Sequence, residues 1–174
     1  MKRTVLIFGL ISGAVSSGMM VATLPFVDKL DFDKGAVIGY TSLVLSALVI
    51  FFGVRSYRDN VQGGRLGFGK GFAVGLLITL VSCACYVGTW EILYYKVMPD
   101  FGAKYAAHMV ERVRASGASP ERIDEARRQA ASFKEMYDKP LMNVALTFTE
   151  PFPIGLLVSL ISAAVLRKQP KPGA

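Results

Sequence analysis

Two long runs of the chain carry no charge at all, Thr4 to Leu24 and Ala36 to Val54. A bilayer core of about 30 Å is crossed by about 20 apolar residues in a helix, and both runs are of that length. Two further segments are nearly as clean. Gly71 to Trp90 is uncharged and continues to Tyr95 with Glu91 as its only charge, and Leu141 to Leu166 is interrupted only by Glu150. Lipid offers no partners to backbone N–H and C=O groups, and none of the four segments alternates like a barrel strand, so all four read as helices. The expected fold is all-α. It is an integral membrane bundle of four transmembrane helices at about 4–24, 36–54, 71–95 and 141–166. An extramembrane αα-hairpin, 96–140, lies between helices three and four. In 174 residues this makes a single membrane domain. Hydrophobic types make up 52% and charged types 19%, so the chain is too apolar to be disordered, and two cysteines are too few for a small disulfide scaffold.

The first run follows Lys2 and Arg3, as a secretory signal would. A signal's apolar stretch is about 7 to 15 residues and ends in a small-x-small site, whereas this run is longer and Met20-Val21-Ala22 is bulky at its first position. A retained helix is expected. The fourth run contains Glu150-Pro151-Phe152-Pro153, and two prolines kink or end a helix. It either starts at Leu141 and bends at the prolines or starts at Pro151, a good first-turn residue.

Orientation follows from Lys and Arg near the span ends. The N-terminus has Lys2 and Arg3, the second loop Arg55, Arg58, Arg65 and Lys70, and the C-terminus Arg167, Lys168 and Lys171, with Asp59 the sole acid among them. The first loop mixes Lys29 and Lys34 with Asp28, Asp31 and Asp33, and Lys96 to Pro140 carries nine basic and seven acidic residues. Both termini are therefore expected in the cytoplasm, with the hairpin outside. The net charge of +7 sits mostly beside the spans, where it orients the chain and attracts anionic headgroups. No basic groove with interleaved aromatics accompanies it, so no nucleic acid partner is expected.

The polar segment reads as two helices. Phe101, Tyr105, Met109 and Val113 line up on the first, to about Ala115, and Ser116-Gly117-Ala118 supplies a turn. Ser119-Pro120-Glu121 is an N-cap, a first-turn proline and a first-turn acid. Ile123, Ala126, Ala130, Phe133 and Tyr137 then form a narrow apolar seam, with Asp124 to Arg128 and Glu135 to Lys139 as i,i+4 pairs. The two apolar faces are expected to pack on each other. A protein partner or a second copy of the chain, bound through 101–138, is the alternative. His108 has no companion at metal-ligand spacing and reads as a surface residue.

Gly64-Arg65-Leu66-Gly67-Phe68-Gly69-Lys70-Gly71 nearly spells a phosphate loop, but Gly71 stands where a hydroxyl would hold Mg²⁺, and no strand precedes it. It reads instead as a turn from which Gly67, Gly71 and Gly75 begin a helix-packing face. Gly9, Gly13 and Ser17, and Gly155, Ser159 and Ala163, form similar stripes. Cys83 and Cys85 are two apart on a helix and cannot bond each other or chelate one metal. No metal site and no cofactor are expected. Glu91 and Glu150, with Trp90 beside the first, form the candidate intramembrane polar site, because ionisable groups within spans are costly. Each has a plainer reading: Glu91 reaching the interface near Lys96, and Glu150 as the acid at a helix starting at Pro151.

Gly67-Phe68-Gly69-Lys70-Gly71-Phe72 entering the third span, Trp90-Glu91 near its exit, and Thr149-Glu150-Pro151-Phe152-Pro153-Ile154-Gly155-Leu156 with Ser159-Leu160-Ile161-Ser162-Ala163 resemble the bacterial membrane proteins grouped as domain of unknown function 4199. The resemblance runs over nearly the whole chain. It implies a four-helix protein of the bacterial cytoplasmic membrane and carries over no catalytic residue. Without a His cluster, a Ser-His pairing or a metal-ligand set, the chain is expected to be non-enzymatic, binding membrane lipid or partner proteins. The alternative is a small proton-linked carrier using Glu91 and Glu150 as a coupled pair.

Overall fold

A computed structural model describes residues 1–26 and 32–167. Asp28, Lys29 and Asp31 of the first loop and Lys168 and Lys171 of the C-terminal tail, all used in the orientation argument, lie outside the described residues. The elements are α1 (Lys2–Thr23) with a 3₁₀ turn at Leu24–Phe26, α2 (Phe32–Asn60), α3 (Phe68–Ile92) running into a π-helical turn at Leu93–Val97, α4 (Phe101–Ala115), α5 (Pro120–Tyr137), α6 (Pro140–Phe148) and α7 (Pro151–Val165). No strand occurs among the described residues. Four stretches are long and apolar enough to cross a membrane: Lys2–Phe26, Phe32–Asn60, Phe68–Val97 and Pro140–Val165. The last is broken at Thr149 and Glu150, so helix forms on both sides of that break, with Pro151 opening α7 and Pro153 in its first turn.

The chain divides into two compact units, Met1–Gly88 with Phe148–Ala174, and Thr89–Thr147. In the first unit α2 packs on α1 and on α7. Helix α3 meets α1 and α7 through glycine. A Cβ on Gly9 would lie 2.6 Å from Val81 Cβ, and one on Gly13 would lie 2.5 Å from Cys85 Cβ. On another face of α3, Gly75 abuts Ser159, Gly155 abuts Thr79, and Gly71 faces Ala163. Backbones can approach this closely only where side chains are missing.

An apolar cluster of Val5, Val54, Tyr57, Leu66, Val74 and Leu166 ties together the start of α1, the end of α2, the start of α3 and the end of α7. Away from that end the interior turns small and polar: Ser12, Ser16, Ser42, Ser46, Thr79, Ser82 and Ser159 are all buried. Large apolar side chains point outward instead, including Leu6, Leu10, Val37, Leu157 and Val165. Serine inside and leucine outside reverses the order of a water-soluble domain, and it is the order a lipid solvent favours.

In the second unit, α4 and α5 pack as an antiparallel hairpin turned at Gly117, whose φ of 73° needs a residue without a Cβ. Ala126, Ala130 and Tyr137 are buried on α5, and the Tyr105 and Phe133 rings meet at 5.4 Å. Two local expectations change. Ser119 holds the extended N-cap backbone, but its hydroxyl bonds the Glu121 side chain rather than capping the helix. A hydroxyl prefers a charged acceptor, and the bond holds the Glu121 carboxyl below its usual range. Asp124 pairs with Arg127, three residues on, at 2.9 Å, while Glu135 and Lys139 meet at 3.3 Å.

Candidate functional site: polar groups within the membrane-length helices

Asn143, on α6 in the second unit, is a polar side chain that is fully buried. Trp90 Nε1 donates to its Oδ1 at 3.1 Å, and Thr147 Oγ1 donates to the same oxygen at 3.2 Å. Its Nδ2 donates to the Tyr137 carbonyl at 3.2 Å, and its side chain also bonds the Tyr95 hydroxyl. The orientation of the amide is forced, because an indole N–H can only donate and a carbonyl can only accept. All four bonding positions of the amide are used.

Around this hub the rings of Trp90, Tyr94, Phe101, Tyr105, Phe133 and Tyr137 stand at centroid distances of 5.0 to 6.4 Å. Aromatic pairs at such spacing add about 0.5 to 1.5 kcal/mol beyond their buried area. The π turn makes the bend, with Met98 N–H reaching the Leu93 carbonyl at 2.8 Å. The Tyr94 hydroxyl passes over Gly102, where a Cβ would sit 2.7 Å from it, and donates to Asp138 Oδ1 at 2.7 Å. Lys134 Nζ donates to the other oxygen at 2.6 Å, and these two bonds, the lysine's first, hold the Asp138 carboxyl below its usual range. With its polar groups matched to one another, this cluster is built to hold shape.

Trp90 is thus a member of that hub, and Glu91 beside it is half-buried. Its Oε1 is inaccessible and accepts no hydrogen bond, and among the described residues it forms no ion pair with Lys96. Glu150 belongs to the other unit. It is the N-cap residue of α7, yet its backbone is helical rather than extended and its side chain makes no capping bond. Its Oε2 instead accepts from the Tyr86 hydroxyl at 2.8 Å, linking α3 to the start of α7. Glu150 thus stands at the start of the helix that begins at Pro151, as its plainer reading has it, with its carboxylate bonded to Tyr86. Glu91 and Glu150 fall in different compact units.

Ser12 Oγ lies 2.9 Å from the Ser46 carbonyl and 2.9 Å from Ser82 Oγ, joining three helices, and Thr79 Oγ1 and Ser159 Oγ meet at 3.1 Å. Among the described residues no group of His, Cys, Asp and Glu is arranged to hold a metal, and Cys83 is buried away from any disulfide. His108 is half-buried in the hairpin rather than on its surface. A shallow groove runs along α5, lined by Glu125, Arg128, Gln129, Ser132, Phe133 and Met136. Asn143, Thr147 and Tyr86 were not singled out from the sequence. An asparagine inside an apolar run is a signal of the same kind as Glu91, whereas a tyrosine in a span carries no signal of its partner.

No curated protein and no solved structure matches the chain. The family described as "Protein of unknown function (DUF4199)" matches residues 7–168. With nearly its full length covered and its apolar helices accounted for, the chain belongs to the DUF4199 family.

Proposed function

We propose that the chain is a non-enzymatic integral membrane protein of the bacterial cytoplasmic membrane that acts by binding lipid or a partner protein. Its four membrane-length helices are embedded, the α4–α5 hairpin lies outside, and both termini face the cytoplasm. The observation that carries this reading is the reversed polarity of the first unit, with serine and glycine inside and leucine outside. The hairpin, whose apolar seam is largely taken up internally, offers its outer face to a partner or to a second copy. A cysteine placed at Ser119 is expected to react with an impermeant thiol reagent in intact cells, above the background of the parent chain. Labelling only after lysis reverses the orientation.

The Tyr86–Glu150 bond beside an interrupted helix supports a second reading, a small proton-linked carrier. In that reading, Glu150→Gln and Tyr86→Phe both alter uptake driven by a pH gradient in proteoliposomes. Unchanged proton flux in both variants removes it.

A further inference from the structure

The first unit is strongly cationic at one end, and the turn between α2 and α3 there is a rigid platform. Leu66 is 2% exposed and plugs into the apolar cluster, where it backs Gly71. Gln62 Nε2 donates to the Tyr57 hydroxyl at 3.3 Å, and Lys70 Nζ donates to Gln62 Oε1 at 3.3 Å. Gly63 and Gly64, at φ of 58° and 80°, close the turn, with Gly64 N–H bonding the Arg58 carbonyl at 2.9 Å. Lys2, Arg3, Arg55, Arg58, Arg65, Lys70 and Arg167 gather at this end, because the shared cluster joins the helix termini that bear them.

Asp59, the one acid, is already engaged by Arg58 at 2.6 Å and by Arg55 at 3.7 Å. Among the described residues Arg65 and Lys70 have no carboxylate partner, and both are exposed. Exposed apolar groups flank them. Phe68 is 41% exposed and stacked on Phe72 at 6.3 Å, and Val61 is 48% exposed. Uncompensated cations on a fixed turn between exposed apolar side chains match a surface that is anionic above and hydrocarbon below, which no dissolved anion offers.

We propose that this turn binds the phosphodiester headgroups of anionic phospholipids, with Arg65 and Lys70 as the contacting cations and Phe68 and Val61 set against the acyl boundary. The inference rests on the membrane reading above and narrows its lipid to an anionic one, held at the α2–α3 turn.

The test uses the full chain in vesicles of phosphatidylcholine with and without phosphatidylglycerol, reading which lipids stay bound after gentle detergent extraction by native mass spectrometry. Wild type is expected to retain phosphatidylglycerol preferentially at low salt. The Arg65→Gln/Lys70→Gln variant should lower that preference by about fivefold for each charge removed. Arg65→Lys/Lys70→Arg should keep it, as should Arg127→Gln/Arg128→Gln on the hairpin, and the helical circular dichroism of each variant reports that it has folded. An unchanged preference in the neutral variant, or full displacement of the lipid by inorganic phosphate, overturns the proposal. If the neutral variant fails to fold, Lys70→Gln alone decides in the same way. Failure of wild type to insert into vesicles of either composition would instead overturn the membrane reading itself.

Discussion

In the first unit glycine lies against Val81, Cys85 and Ser159, and the contacts that matter are those that missing side chains permit. In the second, a row of aromatic rings surrounds a buried asparagine whose bonds all end within the unit. The difference follows from what drives each to pack. Helices among lipid tails gain little from burying leucine, so close backbone approach and hydroxyl bonds hold them. The second unit joins the ends of two membrane-length helices, 89–97 and α6, to the α4–α5 hairpin, and it packs through large rings, which supply the most area per residue.

The comparison is open to direct test. Asn143→Leu takes the amide from the Trp90 indole and the Tyr137 carbonyl, at about 1 to 3 kcal/mol for each group left unsatisfied, and leaves the Thr147 hydroxyl its 3.4 Å contact with the Tyr137 hydroxyl. The expected loss is about 4 kcal/mol, read as early exposure of the hairpin in hydrogen exchange with the first unit unchanged. Simultaneous loss of protection in both units would mean that their packing does not divide as described.

Next in size is Gly155→Val, whose Cβ would lie 2.4 Å from Thr79 Cγ2. About 3 kcal/mol of overpacking is expected in the first unit. Gly18, with nothing within 4 Å of a built Cβ, is the control, and Gly18→Ala should be neutral or stabilise by about 0.5 kcal/mol. Equal effects at the two positions, read as thermal aggregation in detergent, would remove close approach as the reason for glycine here.

The smallest effect expected is that of pH on Asp138. Its carboxyl titrates below the usual value because Lys134 and Tyr94 bond it, so its contribution is present above about pH 4, the ordinary aspartate value, and is lost as pH falls through the lower folded value. With both side chains of the ion pair over two-fifths exposed, about half a kcal/mol is the scale, and Asp138→Asn should flatten that part of the stability profile.

The four apolar helices and the helical hairpin were readable because uncharged runs and 3–4 spacings record the solvent on each face. The stripes Gly71–Gly75 and Gly155–Ser159–Ala163 were visible as spacing, but nothing in the spacing says that they oppose each other. Partner choice was hidden elsewhere too. Glu150 was conspicuous as a charge, yet its bond to Tyr86 depends on where two helices sixty-four residues apart come to rest. Asn143 went unnoticed because one amide scarcely changes the hydropathy of a long apolar run, although it bonds four neighbours.

The Tyr86–Glu150 bond also bears on how α3 and α7 avoid misalignment. Their contacts repeat every four residues, Gly71 on Ala163, Gly75 on Ser159, Thr79 on Gly155. A pattern that repeats can slip: a slide of one turn, about 5.4 Å, would bring Gly75 opposite Gly155 and leave two smooth surfaces still in touch. The phenol and carboxyl occur once. At 2.8 Å in the observed alignment, they would be parted by roughly a turn's length in the slipped one, so a single bond serves as the index mark that a ladder of near-identical rungs lacks.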